Sequence, residues 1–547
     1  MNSTDTTAPA VGTADIRYQV MWNRLLSVVE EQARTLVRTA FSTSAREAGD
    51  ISAGVFDLQG QMLAQAVTGT PGHVNSMARS VVHFIREFPV HTMKPGDHYI
   101  TNDPWKGTGH LYDLVVTSPA FHDGKLVALF SSTTHIVDIG GVGQSAEGKQ
   151  VFHEGLFIPL IPLARQGVVD ETVMRIIRAN VREPVQVEGD VFALMACNET
   201  GERRLSAMLR ENDLKDLDAL GDYIITRSRA GMAAAIAKLP KGTWKSHMRI
   251  DGVTDPIDLH ATVTIADDHI AVDYAGTSAA VPFGINCPLC YTEAYTAFGV
   301  KCLVGAEIPN NAGTLDAVIV TAPEGSIVNA PFPFPVTARS TMGHMLPDVV
   351  YGALDQAIPG RVPAEGTSNL WNLKLGAGPG YTGPTGPAFM ITSFHSGGTG
   401  ARPNLDGLSA TPFPSGVRNV PVEVTEAITP LVFWKKELRE GSGGAGRFRG
   451  GLGQVIEVAR RDNQPFGIFA TFERVKHPAR GRAGGESGAR GRLSLASGTE
   501  LKPKGFHVVP AGDRLVVEMP GGGGHGDPAE RDATVAQRDA ALGYTRE

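Results

Sequence analysis

Residues 114–121 and 126–134 are two strand-like apolar runs joined by His122-Asp123-Gly124-Lys125, and an Asp-Gly pair between such runs is a strong signal for a tight hairpin. This hairpin constrains the chain more than any other feature. Antiparallel pairing returns the far end of the second strand to the start of the first, so His110 and Asp113, an HxxD pair ahead of the first strand, meet His135 at one sheet edge. Two imidazoles and a carboxylate form an open ligand set for Mn, Fe or Zn that leaves positions for water or substrate. The same residues also suit histidines simply hydrogen-bonded at a strand end, and the pattern alone leaves both readings open. Asp138, Asp103 and Asp50 are nearby or plausible additional acids, of the type that orients a metal-bound imidazole.

Around this hairpin the sequence predicts an α+β, multidomain protein with mixed and antiparallel sheets, helices and a β-rich C-terminal domain. Trp22, Leu25, Leu26, Val29, Ala33, Leu36, Val37 and Ala40 recur at helical spacing, which predicts an amphipathic helix over 18–41. ISAGVFDLQGQMLAQ reads as a hairpin turning at 57–60, helices are expected near 76–87 and through much of 171–222, and alternating strands begin near 240. Helices near 291–303 and 344–357 follow, then a Gly-rich stretch over 375–406 with little periodicity, too long for a plain linker. From 430 the chain alternates again and closes with a short helix over 529–542. The expected organisation is a disordered 1–17, an α/β domain with the metal site over 18–240, an α+β domain over 241–430 and a β-rich, Gly-rich domain over 431–547.

Several function classes lose support. With 50 Lys+Arg against 57 Asp+Glu the formal charge is -7, so the basic footprint of a nucleic-acid binder is absent. No apolar run approaches the roughly 18 to 20 residues that cross a bilayer. No basic-then-apolar secretory leader is visible, and four cysteines are too few for a disulfide scaffold, so the expected location is cytoplasmic. GxSxG and HExxH are both missing, which removes the serine hydrolase and zincin readings.

Other strings have plainer readings. GQSAEGKQ at 143–150 has the spacing of a phosphate-cradling loop but ends in Gln where Ser or Thr is required, and no helix is expected after it. A flexible Gly-containing loop is the expectation. CPLC, with Cys287 and Cys290, is a single pair that reads as buried small residues, with a redox pair as the alternative. GSGGAGRFRGGLG, AGGESGARG and PGGGGHGD are expected to form turns within a β context. The last, with His525 and Asp527, leaves open a surface for another subunit's backbone.

Taken in order, REAGDISAGVFD, GDHYITNDPWKGTGHLYDLVV, HIVDIGG, EGLFIPLI, ANVREPVQVEGD, NETGERRL, IPNNAG, APEGSIVN, SGGAGRFRGGLG and PGGGGHGDPAERD resemble the B-type subunit of the hydantoinase and oxoprolinase family, also found as the alpha subunit of acetone carboxylase. The likeness runs from about residue 18 to the C-terminus. It implies a cytoplasmic hetero-oligomer, with two or more copies of each subunit, in which an A-type subunit of actin-like ATPase fold binds ATP. It also implies hydrolysis of a small cyclic amide, a hydantoin, lactam or oxoproline, whose carbonyl is activated by phosphorylation and attacked at a divalent-metal site in the B-type subunit. The family pattern carries over to His110, Asp113 and His135 as metal ligands, with Asp50 as the candidate fourth and Asp138 or Asp103 as the acid that orients water or takes its proton. Trp105 and Tyr112 depart from the residues common in relatives and are expected to face the substrate. Two other readings stand: the alpha-type subunit of a bicarbonate-dependent acetone- or acetophenone-like carboxylase, and a non-catalytic scaffold docking a partner through its Gly-rich end.

Overall fold

The computed structural model of the chain describes residues 13–67, 69–379, 381–383 and 388–545. Its centre is a seven-stranded antiparallel sheet in the order Met62–Gln65, Ile51–Phe56, Lys125–His135, Asp113–His122, His98–Thr101, Ile161–Arg165 and Val168–Val169. The two central strands are the predicted hairpin, extended by a residue at each end. Successive side chains on them serve opposite faces. Val115, Leu129 and Phe56 pack under the helix Pro71–Glu87 through Met77, Val81 and Phe84. On the other face, Val55, Ala128 and Phe130 lie under the helix Thr13–Thr39 through Trp22, Leu25 and Val29, joined by Leu205 and Met208 of the helix Pro184–Glu211. Coverage on both faces is why these strands read as nearly continuous apolar and small runs rather than alternating ones.

A second sheet, Val318–Thr321, Ile270–Asp273, Ile257–Ile265 and Gly242–Ile250, holds one parallel pair and packs with the helices Leu289–Leu303 and Leu346–Ala357 in the same core as the helix Pro71–Glu87. Two further four-stranded sheets share a core containing Trp371, Leu375, Ile391, Ile456, Ile468 and Val517. One of them joins Leu373–Ala377 and Phe389–Ser393 to Phe466–Thr471 and Lys504–Val509, so it draws strands from both sides of residue 430, where the sequence suggests a boundary. The first helix begins at Thr13, inside the segment expected to be disordered, while residues 1–12 lie outside the described residues. Among the described residues no helix is long and apolar enough to cross a membrane.

The glycine strings are not chiefly turns. Gly521–Gly524 runs as a buried segment that is neither helix nor strand, surrounded by other backbones of the same chain. Three successive N–H groups donate to three different neighbours: Gly522 to the Gly451 carbonyl (3.0 Å), Gly523 to that of Glu365 (2.9 Å) and Gly524 to that of Glu486 (2.8 Å). A Cβ on Gly521, Gly522, Gly523 or Gly524 would stand 1.9, 1.9, 2.2 or 2.0 Å from a neighbouring carbonyl oxygen. Glycine is needed here for close backbone approach, and the backbones that crowd Gly521–Gly524 are this chain's own.

Candidate metal centre

Asp113 opens one hairpin strand and is the register partner of His135, which closes the other. Asp50 precedes the next strand, and its carbonyl accepts the His135 N–H at 3.1 Å. Period two then sends Asp113 and His135 to one face, toward the first turn of the helix Pro71–Glu87. His110 arrives from the turn ahead of Asp113. Gly109, at φ +98°, leaves room beside it for Arg339, since a Cβ would stand 2.6 Å from the Arg339 Cδ.

Asp113 is the hub of the cluster and is fully buried. Its Oδ1 lies 2.8 Å from His110 Nε2 and 3.1 Å from His135 Nδ1. Its Oδ2 accepts from Thr108 Oγ1 at 2.8 Å and also meets His73 Nε2 at 2.9 Å and the Arg339 guanidinium. Thr70 Oγ1 donates to Asp50 Oδ1 at 2.8 Å, His73 Nδ1 is 3.5 Å from the same oxygen, and Asp50 Oδ2 is 4.0 Å from His135 Nδ1. Ligand atoms of His110, Asp113 and His135 all fall within 4.8 Å of one another. Burial alone would raise the Asp113 carboxyl, but the positive charges of His73 and Arg339 beside it outweigh burial and hold the group well below the usual carboxylate range. Burial opposes protonation of His73, yet the Asp113 and Asp50 charges raise its pKa above the ordinary value.

The donor set fits a cation. His110 Nδ1 is 2.8 Å from the Thr337 carbonyl, which can only accept, so the ring proton sits on Nδ1 and Nε2 carries a lone pair. That lone pair faces the Asp113 carboxylate without a hydrogen-bond partner. Burial and the Arg339 charge push the imidazole down to about 3, so protonation does not relieve the opposed lone pairs at neutral pH. A cation held by both groups would.

Asp138 and Asp103 stand elsewhere. Asp138 accepts from the Arg182 backbone N–H, from Arg182 Nη1 at 2.6 Å and from the Gly140 N–H at 3.1 Å. Asp103 accepts the Trp105 N–H at 2.9 Å and lies 3.6 Å from Lys106 Nζ. Both carboxylates tie down loops, and among the described residues neither is hydrogen-bonded or ion-paired to His110, Asp113 or His135. Tyr112 stacks on His135 with ring centres 5.8 Å apart, whereas Trp105 lines an open, largely apolar cavity of about 530 Å³ with Phe152, Phe157 and Phe332.

The sequence reading missed His73, Arg339, Gln144 and Glu154. Gln144 belongs to GQSAEGKQ, where residues 143–146 are buried rather than loosely exposed, and its Nε2 lies 3.2 Å from His135 Nε2. No α-helix follows that string, in keeping with its rejection as a phosphate loop. Lys374 Nζ donates to the Gln144 carbonyl at 3.0 Å and to Thr471 Oγ1 at 3.2 Å, and burial pushes this amine down to about 7. Glu154 Oε1 accepts from the N–H groups of Val336 (2.7 Å) and Thr337 (2.8 Å), while its Oε2 is buried without a partner. Burial outweighs those two donors and pushes the Glu154 carboxyl up to about 8. The CPLC thiols are free, and burial pushes both to about 12, which disfavours the redox-pair reading.

A family model described as Hydantoinase B/oxoprolinase matches residues 14–528. The putative B-type subunit of a D-/L-hydantoinase from a Pseudomonas species is 28% identical, covering 97% of this chain and 93% of that protein. A 5-oxoprolinase of Pestalotiopsis fici is 30% identical over 94% of this chain, which spans only 41% of that longer protein. Among solved structures, an ATP-dependent caprolactamase from Pseudomonas jessenii matches with a TM-score of 0.86 at 24% identity, covering 99% of this chain and 95% of its own. Nucleotide-free acetone carboxylase matches with a TM-score of 0.86 at 19% identity, covering 99% and 79%. These two likenesses concern the fold.

Proposed function

The chain belongs to the hydantoinase B/oxoprolinase family, and from that premise we propose that it is the catalytic B-type subunit of a heteromeric, ATP-dependent enzyme that opens a small cyclic amide of the hydantoin, lactam or oxoproline kind. Its similarity to the B-type hydantoinase chain along nearly the full length of both proteins supports the role within such a complex. The relatives named as a hydantoinase subunit and a 5-oxoprolinase support the substrate class.

The observation that carries the chemistry is the buried, partnerless His110 Nε2 aimed at the Asp113 carboxylate beside His135 and Asp50. These four residues would hold one divalent cation, Mn, Zn or Fe. Such a cation polarises a carbonyl and lowers the pKa of water, which is the activation that amide hydrolysis needs. The chain's own residues do the rest. His73 and Arg339 keep Asp113 ionised, and burial together with the Arg339 charge keeps His110 neutral, the protonation states that ligation requires. The Tyr112 ring limits the space over His135, and Asp138 and Asp103 support the centre by fixing the loops that approach it. ATP is assigned to an A-type partner of actin-like fold, because this chain's only phosphate-loop-like string lacks both its Ser/Thr and its helix.

The test is elemental analysis of the purified chain beside His110→Ala and His135→Ala, followed by reconstitution with the A-type partner, ATP and a panel of lactams and hydantoins. About one metal per chain, lost in both variants together with most ring-opening activity while assembly persists, is the expected result. Unchanged activity in the variants would favour a scaffold. Turnover that depends on bicarbonate would favour the carboxylase reading.

A further inference from the structure

The two nitrogens of His135 face different surroundings. Nδ1 looks into the carboxylates, 3.1 Å from Asp113 Oδ1 and 4.0 Å from Asp50 Oδ2. Nε2 looks the other way, to the Gln144 side-chain amide at 3.2 Å. If His135 ligates a cation among those carboxylates, Nδ1 must be bare, and the single proton of the neutral ring must sit on Nε2. A metal-bound imidazole with its outer N–H directed at an acceptor is held in one orientation and gains basicity. His110 already has such an acceptor in the Thr337 carbonyl.

For His135 the group shown at that nitrogen among the described residues is the Gln144 amide. An amide can donate through Nε2 when the ring proton is on Nδ1 and, turned over, accept through Oε1 when the proton is on Nε2. Gln144 Oε1 is buried and has no partner, so turning the amide breaks no existing bond to that oxygen. The backbone beneath it is fixed independently, because Lys374 reaches across from the strand Leu373–Ala377 to hold the Gln144 carbonyl at 3.0 Å.

We propose that Gln144 is a positioning residue for the metal centre, whose side-chain oxygen accepts the His135 Nε2–H and thereby presents Nδ1 to a divalent cation. This rests on the metal-site reading above. It also gives GQSAEGKQ a role unrelated to phosphate: the string carries the outer hydrogen-bond partner of a ligand.

The experiment is a titration of the metal-free full chain with Zn²⁺ or Mn²⁺ against a competing chelator dye, so the readout is cation affinity rather than turnover. Wild type, Gln144→Met and Gln144→Glu are compared, with thermal unfolding of each metal-free protein as a control. Met keeps the length but cannot accept, and affinity is expected to fall about 10- to 100-fold. Glu accepts only, and is expected to bind at least as tightly as wild type. Equal affinity in all three proteins overturns the proposal while leaving the metal site standing. Equal losses in Met and Glu, accompanied by lowered unfolding temperatures, also overturn it, since they reduce Gln144 to packing. A wild-type chain that binds neither cation overturns the metal-site reading, and this inference with it.

Discussion

The candidate metal centre and the glycine bundle are both buried, yet they are built from opposite materials. The Asp113 carboxylate is met by side chains, those of His73, Thr108, His110, His135 and Arg339. At Gly522 the three atoms nearest a built Cβ are all backbone, the first being the Thr399 carbonyl oxygen at 1.9 Å. Side chains can be exchanged one at a time while the strands beneath them persist. A backbone bundle has no such layer to lose, so its glycines tolerate no addition. The centre is therefore expected to lose function before fold, and the bundle fold before function.

The sharpest way to break this contrast is Gly522→Ala. Adding one methyl group is expected to cost more than about 5 kcal/mol and to abolish soluble folded protein, measured by expression yield and thermal unfolding. Ordinary yield and stability would show that the bundle adapts.

Asp113→Ala should come next. It leaves the Arg339 guanidinium buried without its carboxylate and is expected to cost about 3 to 5 kcal/mol in denaturant unfolding. His110→Ala, which leaves no charge unpaired, should remain close to wild type in the same assay.

Glu154→Gln tests the centre's back wall through pH. Because the folded-state pKa is raised to about 8 from an ordinary 4.5, the stability contributed by the protonated carboxyl is fully present below about 4.5 and is lost as pH rises through about 8. Gln mimics the protonated form at every pH. Its stability relative to wild type, read from unfolding, should climb between pH 5 and about pH 8, by a margin on the order of 4 kcal/mol. A pH-independent difference would mean that Glu154 is not held protonated.

The smallest effect is expected at Gly498, where φ is +97° and nothing lies within 4 Å of a built Cβ. Ala there meets backbone strain alone and should cost about 1 to 2 kcal/mol in thermal unfolding. If Gly498→Ala and Gly522→Ala were equally harmful, close packing would not be what sets the bundle apart.

Much of the fold was legible where periodicity and turn chemistry agree. The hairpin around Asp123-Gly124, the first long helix and the helices ending at Glu87, Leu303 and Ala357 all appear within a few residues of expectation. The Gly-rich stretch was the weak point. Leu373–Ala377 and Phe389–Ser393 are paired strands there, and the alternating pattern is hidden because the first lies between two partners and is buried throughout.

By itself the sequence determined the part of the centre that rests on local geometry. The short loop between two strands fixes the hairpin register, the register fixes which ends meet, and so Asp113 faces His135 with His110 three residues away. Tertiary structure alone decided the rest. His73, Gln144, Arg339 and Lys374 come from a helix start, a loop and two distant segments, and no spacing rule relates them to the hairpin. They converge because separate apolar surfaces are packed together, and hydrophobic burial is not directional. Which polar groups then face one another depends on the whole packed arrangement, which no local stretch of sequence encodes.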